Sequence, residues 1–196
     1  GLRGTMAPGI NGMNVYTVAW ATQGFADYIL RQGAGEKGVV VGRDSRNQSD
    51  AFARVACEVL AANGVKVYCF DNIRPTPVLS FAVRQLGAAG GINITASHNP
   101  KEYNGYKVYW SDGAQISLEQ AEAISSLIAG TDIFDGVKSC DFDTALQAGT
   151  ISMIGPEIDE AYLAAVLGER VLPAPMQAAA DALKIVYTPL NGAGYR

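Results

Sequence analysis

Residues 38–46 read GVVVGRDSR, a β-branched run between two glycines that is followed at once by a polar stretch. Three consecutive valines bounded by glycines are typical of a buried strand in a parallel sheet, because both faces of such a sheet are covered. The polar residues then leave the carboxyl end of that strand, where open α/β sheets gather ligands. This stretch therefore predicts an α/β fold and the edge of the sheet at which a site is expected.

Helices and strands alternate on both sides of this run. Before it, Asn14 begins a helix whose apolar face ends near Gly33. After it, the pattern predicts a helix capped by Ser49, a strand over 65–70, a helix over 78–86 and a strand over 90–95. Such alternation is typical of right-handed βαβ crossovers. We expect a three-layer α/β/α sandwich with a mixed, mostly parallel sheet.

The sheet is expected to be mixed because a hairpin follows the third core strand. Asn104-Gly105 indicates a turn before a strand over 106–110, and Ser111-Asp112-Gly113 indicates the hairpin turn into a short partner strand over 114–116. Ser117 and Gln120 fit a capping box that opens the next helix. Residues 130–154 have no clear period and are expected to be an irregular connection, followed by a helix over 157–167.

The length of 196 residues suggests one domain and part of another. We expect residues 1–172 to form the first domain. Residues 173–196 then hold a linker marked by Pro173 and Pro175 and the first strand, over 183–188, of a truncated second domain. An unpaired strand of this kind predicts either disorder or a strand-mediated dimer.

The composition excludes several classes of function. Hydrophobic residues make up 48% of the chain, charged residues 17%, and the net charge is -4, which argues against a nucleic-acid surface. No apolar run approaches the ~18 residues of a membrane span, and the beginning of the chain has no signal-like pattern. We therefore expect a cytoplasmic protein. Cys57, Cys69 and Cys140 have no C-x-x-C pair and predict free, buried thiols.

The sole histidine, His98, lies in the sequence TASHNP at residues 95–100. This loop leaves the third core strand at its carboxyl end. Ser97 offers a nucleophilic oxygen, and His98, Lys107 and backbone amides offer donors, so a phosphate could be carried on Ser97 or bound beside it. The alternative is a polar turn in which Ser97 caps the next segment. The spacing alone leaves both open.

A hydrolase triad does not fit this loop. Adjacent side chains of an extended segment point apart, no second histidine can act as a base, and a G-x-S-x-G motif is absent. Lys107 alternates with the apolar residues of its strand and could be a solvated lysine. Arg3 could be a frayed terminal residue, and residues 42–46 a self-paired surface loop.

These segments together resemble the first domain of the α-D-phosphohexomutase superfamily, the phosphoglucomutases and phosphomannomutases. Residues 95–100 are similar to its phosphoserine loop. Support comes from YNGYK at 103–107, GVVVGRDSR at 38–46, GLRG at 1–4 and YTPLNGAG at 187–194. MAPGINGMN at 6–14, TQGF at 22–25 and KVYWSDGAQI at 107–116 are most similar to the phosphoglucomutase and phosphopentomutase branch.

The resemblance implies a phosphoryl shuttle that interconverts glucose 1-phosphate and glucose 6-phosphate. Phosphorylated Ser97 would give its phosphoryl group to the sugar monophosphate, and glucose 1,6-bisphosphate is the implied intermediate and activator. The implied catalytic residues are Arg3, Ser97, His98 and Lys107, and these four, Asn99 and Arg43 are the expected phosphate-binding residues.

The resemblance also implies Mg²⁺, bound in part through the phosphate on Ser97. The family's other metal ligands belong to an aspartate loop in the second domain, and this sequence has no D-x-D-x-D run. The loops that recognise the sugar belong to later domains, so phosphopentomutase and phosphomannomutase activities remain alternatives. A non-catalytic phosphosugar-binding module is a third.

Overall fold

The computed structural model describes residues 1–171 and 173–190, and its contacts divide the chain into two compact units, Gly1–Gly155 and Pro156–Arg196. The first unit contains, in chain order, β1 (Leu2–Thr5), α1 (Val15–Arg31), a 3₁₀ turn (Gly35–Lys37), β2 (Val39–Arg43), α2 (Ser49–Ala62), β3 (Val67–Phe70), α3 (Thr76–Gln85), β4 (Gly90–Ile94), β5 (Tyr103–Trp110), α4 (Leu118–Ala129), α5 (Phe142–Gln147) and β6 (Ile151–Ile154). The second unit contains α6 (Pro156–Gly168) and α7 (Pro173–Ala180).

The six strands form one sheet in the order β1-β5-β4-β2-β3-β6. β2 pairs in parallel with both β3 and β4, and β3 pairs in parallel with β6. β5 is antiparallel to both of its neighbours, β4 and β1. The prediction of a mixed, mostly parallel sheet is confirmed.

Helices cover both faces of the sheet, which confirms the three-layer sandwich. On one face, α1 and α2 pack over the strands, with α4 against α1 and α5 against α2. On the other face, α3 lies over β2 and β4. The main core lies between α1, α2 and the sheet, and Phe25, Ile29, Leu60, Ile92 and Tyr106 are among its fully buried side chains.

The limits of α1 follow from its cap residues. The Asn14 side chain accepts hydrogen bonds from the N–H groups of Tyr16 and Thr17, and the Thr17 hydroxyl accepts one from the N–H of Asn14. At the other end, Gly33 adopts a φ of 64°, a conformation that glycine accepts without strain. The predicted cap and stop of this helix are confirmed, as is the capping box of Ser117 and Gln120 on α4.

The predicted turn at Asn104-Gly105 is wrong, because both residues lie inside β5, whereas the chain does turn at 111–113, where the Gly113 N–H donates to Trp110 O. The expected partner strand over 114–116 makes only an isolated bridge, Tyr109 to Gln115. The antiparallel partners of β5 are instead β4 and the strand β1 near the start of the chain. An Asn-Gly pair forms a hairpin turn only where its flanking segments pair with each other, and here they pair with distant strands.

Two other local expectations also differ from the structure. Gln48 occupies the cap position of α2, and the Ser49 hydroxyl donates to Asp44 Oδ1 instead of capping the helix. Residues 130–154 contain α5 and the edge strand β6, which the sequence analysis missed. β6 has only four residues, and its burial is too uneven to give a clear period of two.

Residues 173–188 differ most from expectation. A helix, α7, occupies the predicted linker, and its first residue is proline, which is favoured there because it needs no N–H partner. Residues 183–188 form no strand within the described chain, and Ile185 and Val186 are 79% and 98% exposed. The expectation that this segment belongs to a second domain stays a prediction. Residues 191–194 of the segment YTPLNGAG lie outside the described residues.

The three cysteines are free, as predicted, with Cys57 and Cys69 buried and Cys140 half-buried. In the part of the chain that the structure describes, no helix has the length and apolar character needed to cross a bilayer.

Gly105 tests the placement of β5 between two strands. A Cβ atom at this position would lie 2.5 Å from Thr95 O on β4's side and 3.0 Å from Leu2 O on β1's side. We expect Gly105→Ala to lower the free energy of unfolding by about 1 to 3 kcal/mol, because backbone on both sides must move. Urea unfolding of the chain measures this.

Gly130→Ala is the matched control, since its nearest neighbour would be Ser126 O at 3.5 Å. We expect this change to stay within about 0.5 kcal/mol. Equal stability of the two variants would contradict the pairing described for β5.

Candidate active site

Two loops meet at the carboxyl edge of the sheet between β2 and β4. These strands are adjacent and parallel, and the chain leaves β2 toward β3 but leaves β4 toward β5, on the opposite side. The sheet therefore has a topological switch point here, with residues 44–48 on one side and residues 95–102 on the other. A crevice at this position is where ligands bind in doubly wound folds.

The loop after β4 turns sharply at Ser97. Its φ is 58°, in the left-handed region that residues with a Cβ rarely adopt. The N–H of Ser97 donates to Thr95 Oγ1 at 2.9 Å, and the N–H of Asn99 donates to Ala96 O at 3.1 Å. In the described part of the chain no backbone N–H donates to Ser97 Oγ, so the hydroxyl caps no segment. It is exposed and turned outward from a fixed backbone.

His98 lies beside this hydroxyl. Ser97 Oγ and His98 Nδ1 are 3.3 Å apart, and the tautomer of the imidazole decides which of the two donates. The expectation that the two adjacent side chains point apart is wrong, because the left-handed turn at Ser97 removes the extended geometry on which it relied. Both side chains are exposed, so a ligand can reach them.

Arg3 approaches the same loop from β1. It pairs with Gly105 of β5 and is therefore held in the sheet, not frayed. Its Nη1 donates to Asn99 Oδ1 at 3.1 Å. Asn99 thus uses its amide oxygen to hold Arg3 against the loop, and the guanidinium keeps further donors for an anion.

Lys107 lies on the same face of the sheet as Arg3. Arg3 pairs with Gly105, and Lys107 is two residues further along β5, which places it ~7 Å further from the carboxyl edge of β4. Its half-buried side chain is opposite Asn93, a buried residue of β4. Tyr106 and Val108 point into the core on the other face, as expected from the alternation. The register therefore gathers both cations on one side of the sheet.

Arg43 ends β2, where it pairs with Ile94 of β4. Its charge also acts on Cys69 of β3, the neighbour of β2 on the other side. The pKa of the Cys69 thiol is lowered, first by a hydrogen bond with Cys57 and then by Arg43, against the effect of burial. Within residues 1–171 and 173–190, no hydrogen bond or ion pair joins the Arg43 side chain to residues 95–100. Its predicted contact with phosphate stays a prediction.

Arg46 also contacts the loop, although it was not among the site residues expected from the sequence. Its guanidinium donates to the carbonyl oxygens of Ser97, Asn99, Pro100 and Tyr103, at 2.6 to 3.0 Å. The signal that could have identified Arg46 was its place in a polar loop directly after a buried strand. An ordinary surface loop has the same pattern, so the sequence did not distinguish a site residue from a surface residue. Only the fold brings the two loops together.

The arrangement suits an anion. Ser97, His98, Arg3 and Lys107 offer one hydroxyl and three groups that can donate hydrogen bonds, two of them cationic, at one edge of the sheet. Among the described residues, no group of three or more His, Cys, Asp or Glu could hold a metal ion. This chemistry matches a phosphoryl group better than a metal centre.

Comparison with known proteins gives a consistent result. Residues 1–133 match the family model "Phosphoglucomutase/phosphomannomutase, alpha/beta/alpha domain I". A "Probable phosphoribomutase" of Schizosaccharomyces pombe is 37% identical over 99% of this chain and 33% of its own length. A phosphoglucomutase of Staphylococcus epidermidis is 39% identical over 98% of this chain and 34% of its own.

A solved structure of a "putative phosphomannomutase" from Thermus thermophilus is 34% identical, with a TM-score of 0.71, over 88% of this chain and 35% of that one. The chain therefore spans about a third of the length of the relatives it matches.

The left-handed conformation of Ser97 can be tested by comparing two substitutions. Ser97→Gly and Ser97→Ala both remove the hydroxyl, but only glycine adopts a φ of 58° freely. We expect the glycine variant to be more stable than the alanine variant by about 1 kcal/mol, measured by urea unfolding.

Ser125, exposed in α4, is the matched control. In a helix the order reverses, and the glycine variant should be less stable than the alanine variant by about 1 kcal/mol. The same order of stability at both positions would contradict the strain assigned to Ser97.

Proposed function

The chain belongs to the phosphoglucomutase/phosphomannomutase family, and on that premise we propose that it is the first part of a phosphosugar mutase whose Ser97 carries the phosphoryl group. The observation that supports this most directly is the presentation of Ser97. Its hydroxyl is exposed at the switch point of the sheet, on a turn with a φ of 58°, and 3.3 Å from His98. The relatives are about three times as long as the part of them that this chain matches, which supports a longer protein. In it, we propose that residues 1–172 are domain I and that residues 173–196 lead into the next domain.

The reaction is a transfer in two halves. A sugar hydroxyl attacks the phosphorus of phosphorylated Ser97 and loses its proton. The bond from phosphorus to Ser97 Oγ breaks, and Ser97 Oγ regains a proton. The sugar bisphosphate then presents its other phosphate to Ser97, and the reverse transfer releases the isomer. Phosphoryl transfer of this kind depends on positioning and on stabilising charge at the equatorial oxygens.

The residues around Ser97 fit these tasks. His98 Nδ1, 3.3 Å from Ser97 Oγ, holds the hydroxyl or its phosphate by a hydrogen bond. Arg3 and Lys107 stabilise the charge that develops during transfer, since both belong to the same face of the sheet. Asn99 holds Arg3 in place through its amide oxygen. Arg43, which has no hydrogen bond or ion pair with the loop in the described residues, serves in this proposal to attract the phosphate by its charge.

Glucose 1-phosphate and glucose 6-phosphate are the proposed substrates, with glucose 1,6-bisphosphate as intermediate and activator, and the cytoplasm as the proposed location. The sequence segments at 6–14, 22–25 and 107–116 support this proposal, because they are most similar to the phosphoglucomutase and phosphopentomutase branch of the family. A pentose phosphate is the second candidate, because the fission yeast relative bears the name phosphoribomutase. Mannose phosphates and a non-catalytic phosphosugar-binding module are the remaining alternatives, and activity assays with each sugar separate them.

Mg²⁺ is the proposed cofactor of the whole protein, but the described residues supply little for it. Among them no carboxylate cluster is present, and Ser97 offers oxygen ligands to a metal only once it carries a phosphate. Bound Mg²⁺ would neutralise charge on the phosphoryl oxygens. Its other ligands would belong to further domains.

We predict that Ser97 becomes phosphorylated when the full-length protein is incubated with glucose 1,6-bisphosphate. Peptide mapping by mass spectrometry should locate the phosphate at Ser97. Ser97→Ala should lose mutase activity down to the background of a coupled glucose 6-phosphate assay, because the other hydroxyl of this turn, that of Thr95, is buried. Ser125→Ala, in α4, is the control and should keep full activity. Phosphate on another residue, or full activity of Ser97→Ala, would refute the assignment.

Removal of either cation should slow the transfer. We expect Arg3→Ala and Lys107→Ala each to lower kcat/KM by about 100-fold, because each loses a charge-assisted contact to the transferring group. Thermal unfolding should change little, since both side chains are partly or fully exposed. Lys138→Ala, an exposed lysine remote from the loop, is the control. Unchanged kcat/KM in both variants would make these residues ordinary surface cations.

A further inference from the structure

We propose that Arg46 is a positioning residue for phosphoryl transfer, because its guanidinium fixes the backbone of the loop that presents Ser97 and Asp44 fixes the guanidinium. The inference rests on the proposed function and adds to it a residue that contacts neither the phosphate nor the sugar.

The four terminal N–H groups of Arg46 are all used by the loop. Its Nη2 donates to Ser97 O at 2.8 Å and to Asn99 O at 2.6 Å. Its Nη1 donates to Pro100 O at 2.9 Å and to Tyr103 O at 3.0 Å. Each terminal nitrogen of a guanidinium carries two hydrogens, so these bonds occupy all of them. Arg46 therefore has no terminal N–H left for a phosphate and acts through the backbone of the loop.

Asp44 holds the guanidinium from the other side. Arg46 Nε forms an ion pair with Asp44 Oδ2 at 3.5 Å, without a hydrogen bond. The other carboxylate oxygen of Asp44 accepts from the backbone N–H of Arg46 and from the Ser49 hydroxyl, both at 2.9 Å. The Asn104 amide donates to Ser49 Oγ at 3.0 Å, which ties the network to β5. Only 14% of the Arg46 side chain is exposed, so water competes weakly for these bonds.

This network matters because it adds to the few hydrogen bonds that the loop makes within itself. Residues 95–102 belong to no helix or strand, and Ser97 is held at a φ of 58° that costs free energy. The bond from Arg46 to Ser97 O fixes the orientation of the peptide group that follows Ser97. Without it the strained turn can relax, and the Ser97 oxygen moves away from the position in which it transfers a phosphoryl group. A displacement of about 1 Å is enough to cost roughly 100-fold in rate.

Lysine cannot replace this arginine. An ammonium group has one nitrogen and no planar fork, so it cannot bond to carbonyl groups of four different residues in the geometry that Arg46 uses. Retention of the charge alone should therefore not restore the loop, which distinguishes this role from a general electrostatic one.

The test uses the full-length protein with Arg46→Lys and Arg46→Met. The control is Arg54→Met, which removes an arginine paired with Glu58 and Asp143 on the exposed surface of α2. We measure kcat and KM for mutase activity below the unfolding temperature of every variant, and amide hydrogen exchange of residues 97–103. In both Arg46 variants we expect kcat to fall by about 100-fold or more. KM should change by less than about threefold, because the sugar contacts are untouched. Amide hydrogen exchange should accelerate in the loop but not in β2 or β4.

The Arg54→Met control should retain kcat and loop exchange. An Arg46 variant that remains folded and keeps kcat within about threefold of the unmodified protein would overturn the inference, as would restoration of kcat by lysine. Acceleration of exchange throughout the sheet would overturn it too, since Arg46 would then act on global stability. An unmodified protein with no mutase activity on any sugar phosphate would refute the proposed function and this inference with it, a result distinct from an active protein that tolerates the loss of Arg46.

Discussion

The parallel pairing of β2 with β4 is the constraint on which the site depends. Two parallel neighbours end at the same edge of a sheet, so the loops that follow them must leave side by side. One of these loops supplies Asp44 and Arg46, and the other supplies Ser97 and His98. More than fifty residues separate Arg46 from the carbonyl groups it binds, and strand pairing is what makes these long-range hydrogen bonds possible.

The second constraint is that β5 lies between β4 and the edge strand β1. Because β5 is antiparallel to both, its first residues lie at the carboxyl edge of β4, beside the loop. β1 then carries Arg3 to the same edge. The close approach of three backbones leaves no room for a Cβ at Gly105, where it would lie 2.5 Å from Thr95 O. The geometry of the cations thus depends on a glycine in the middle of a strand.

The sequence by itself determined the α/β class, the limits of α1, the start of α4, and the loop that contains Ser97 and His98. Each of these depends on local chemistry: periodic apolar residues, cap side chains, and polar residues directly after a β-branched run. The TASHNP motif also identified the family. The sequence did not determine that Asn104 and Gly105 lie within a strand or that residues 151–154 form an edge strand, because strand pairing depends on distant partners.

Only the tertiary structure decided which charged residues meet the loop. Arg3, Arg43 and Arg46 follow similar local patterns, an arginine within or just after a short strand. Sheet register directs Arg3 to Asn99, and the parallel pairing of β2 with β4 brings Arg46 to the carbonyl groups of the loop, whereas Arg43 has no hydrogen bond to residues 95–100 among the described residues. The physical reason is that a strand fixes the direction of a side chain only relative to its neighbours, and those neighbours come from remote parts of the chain.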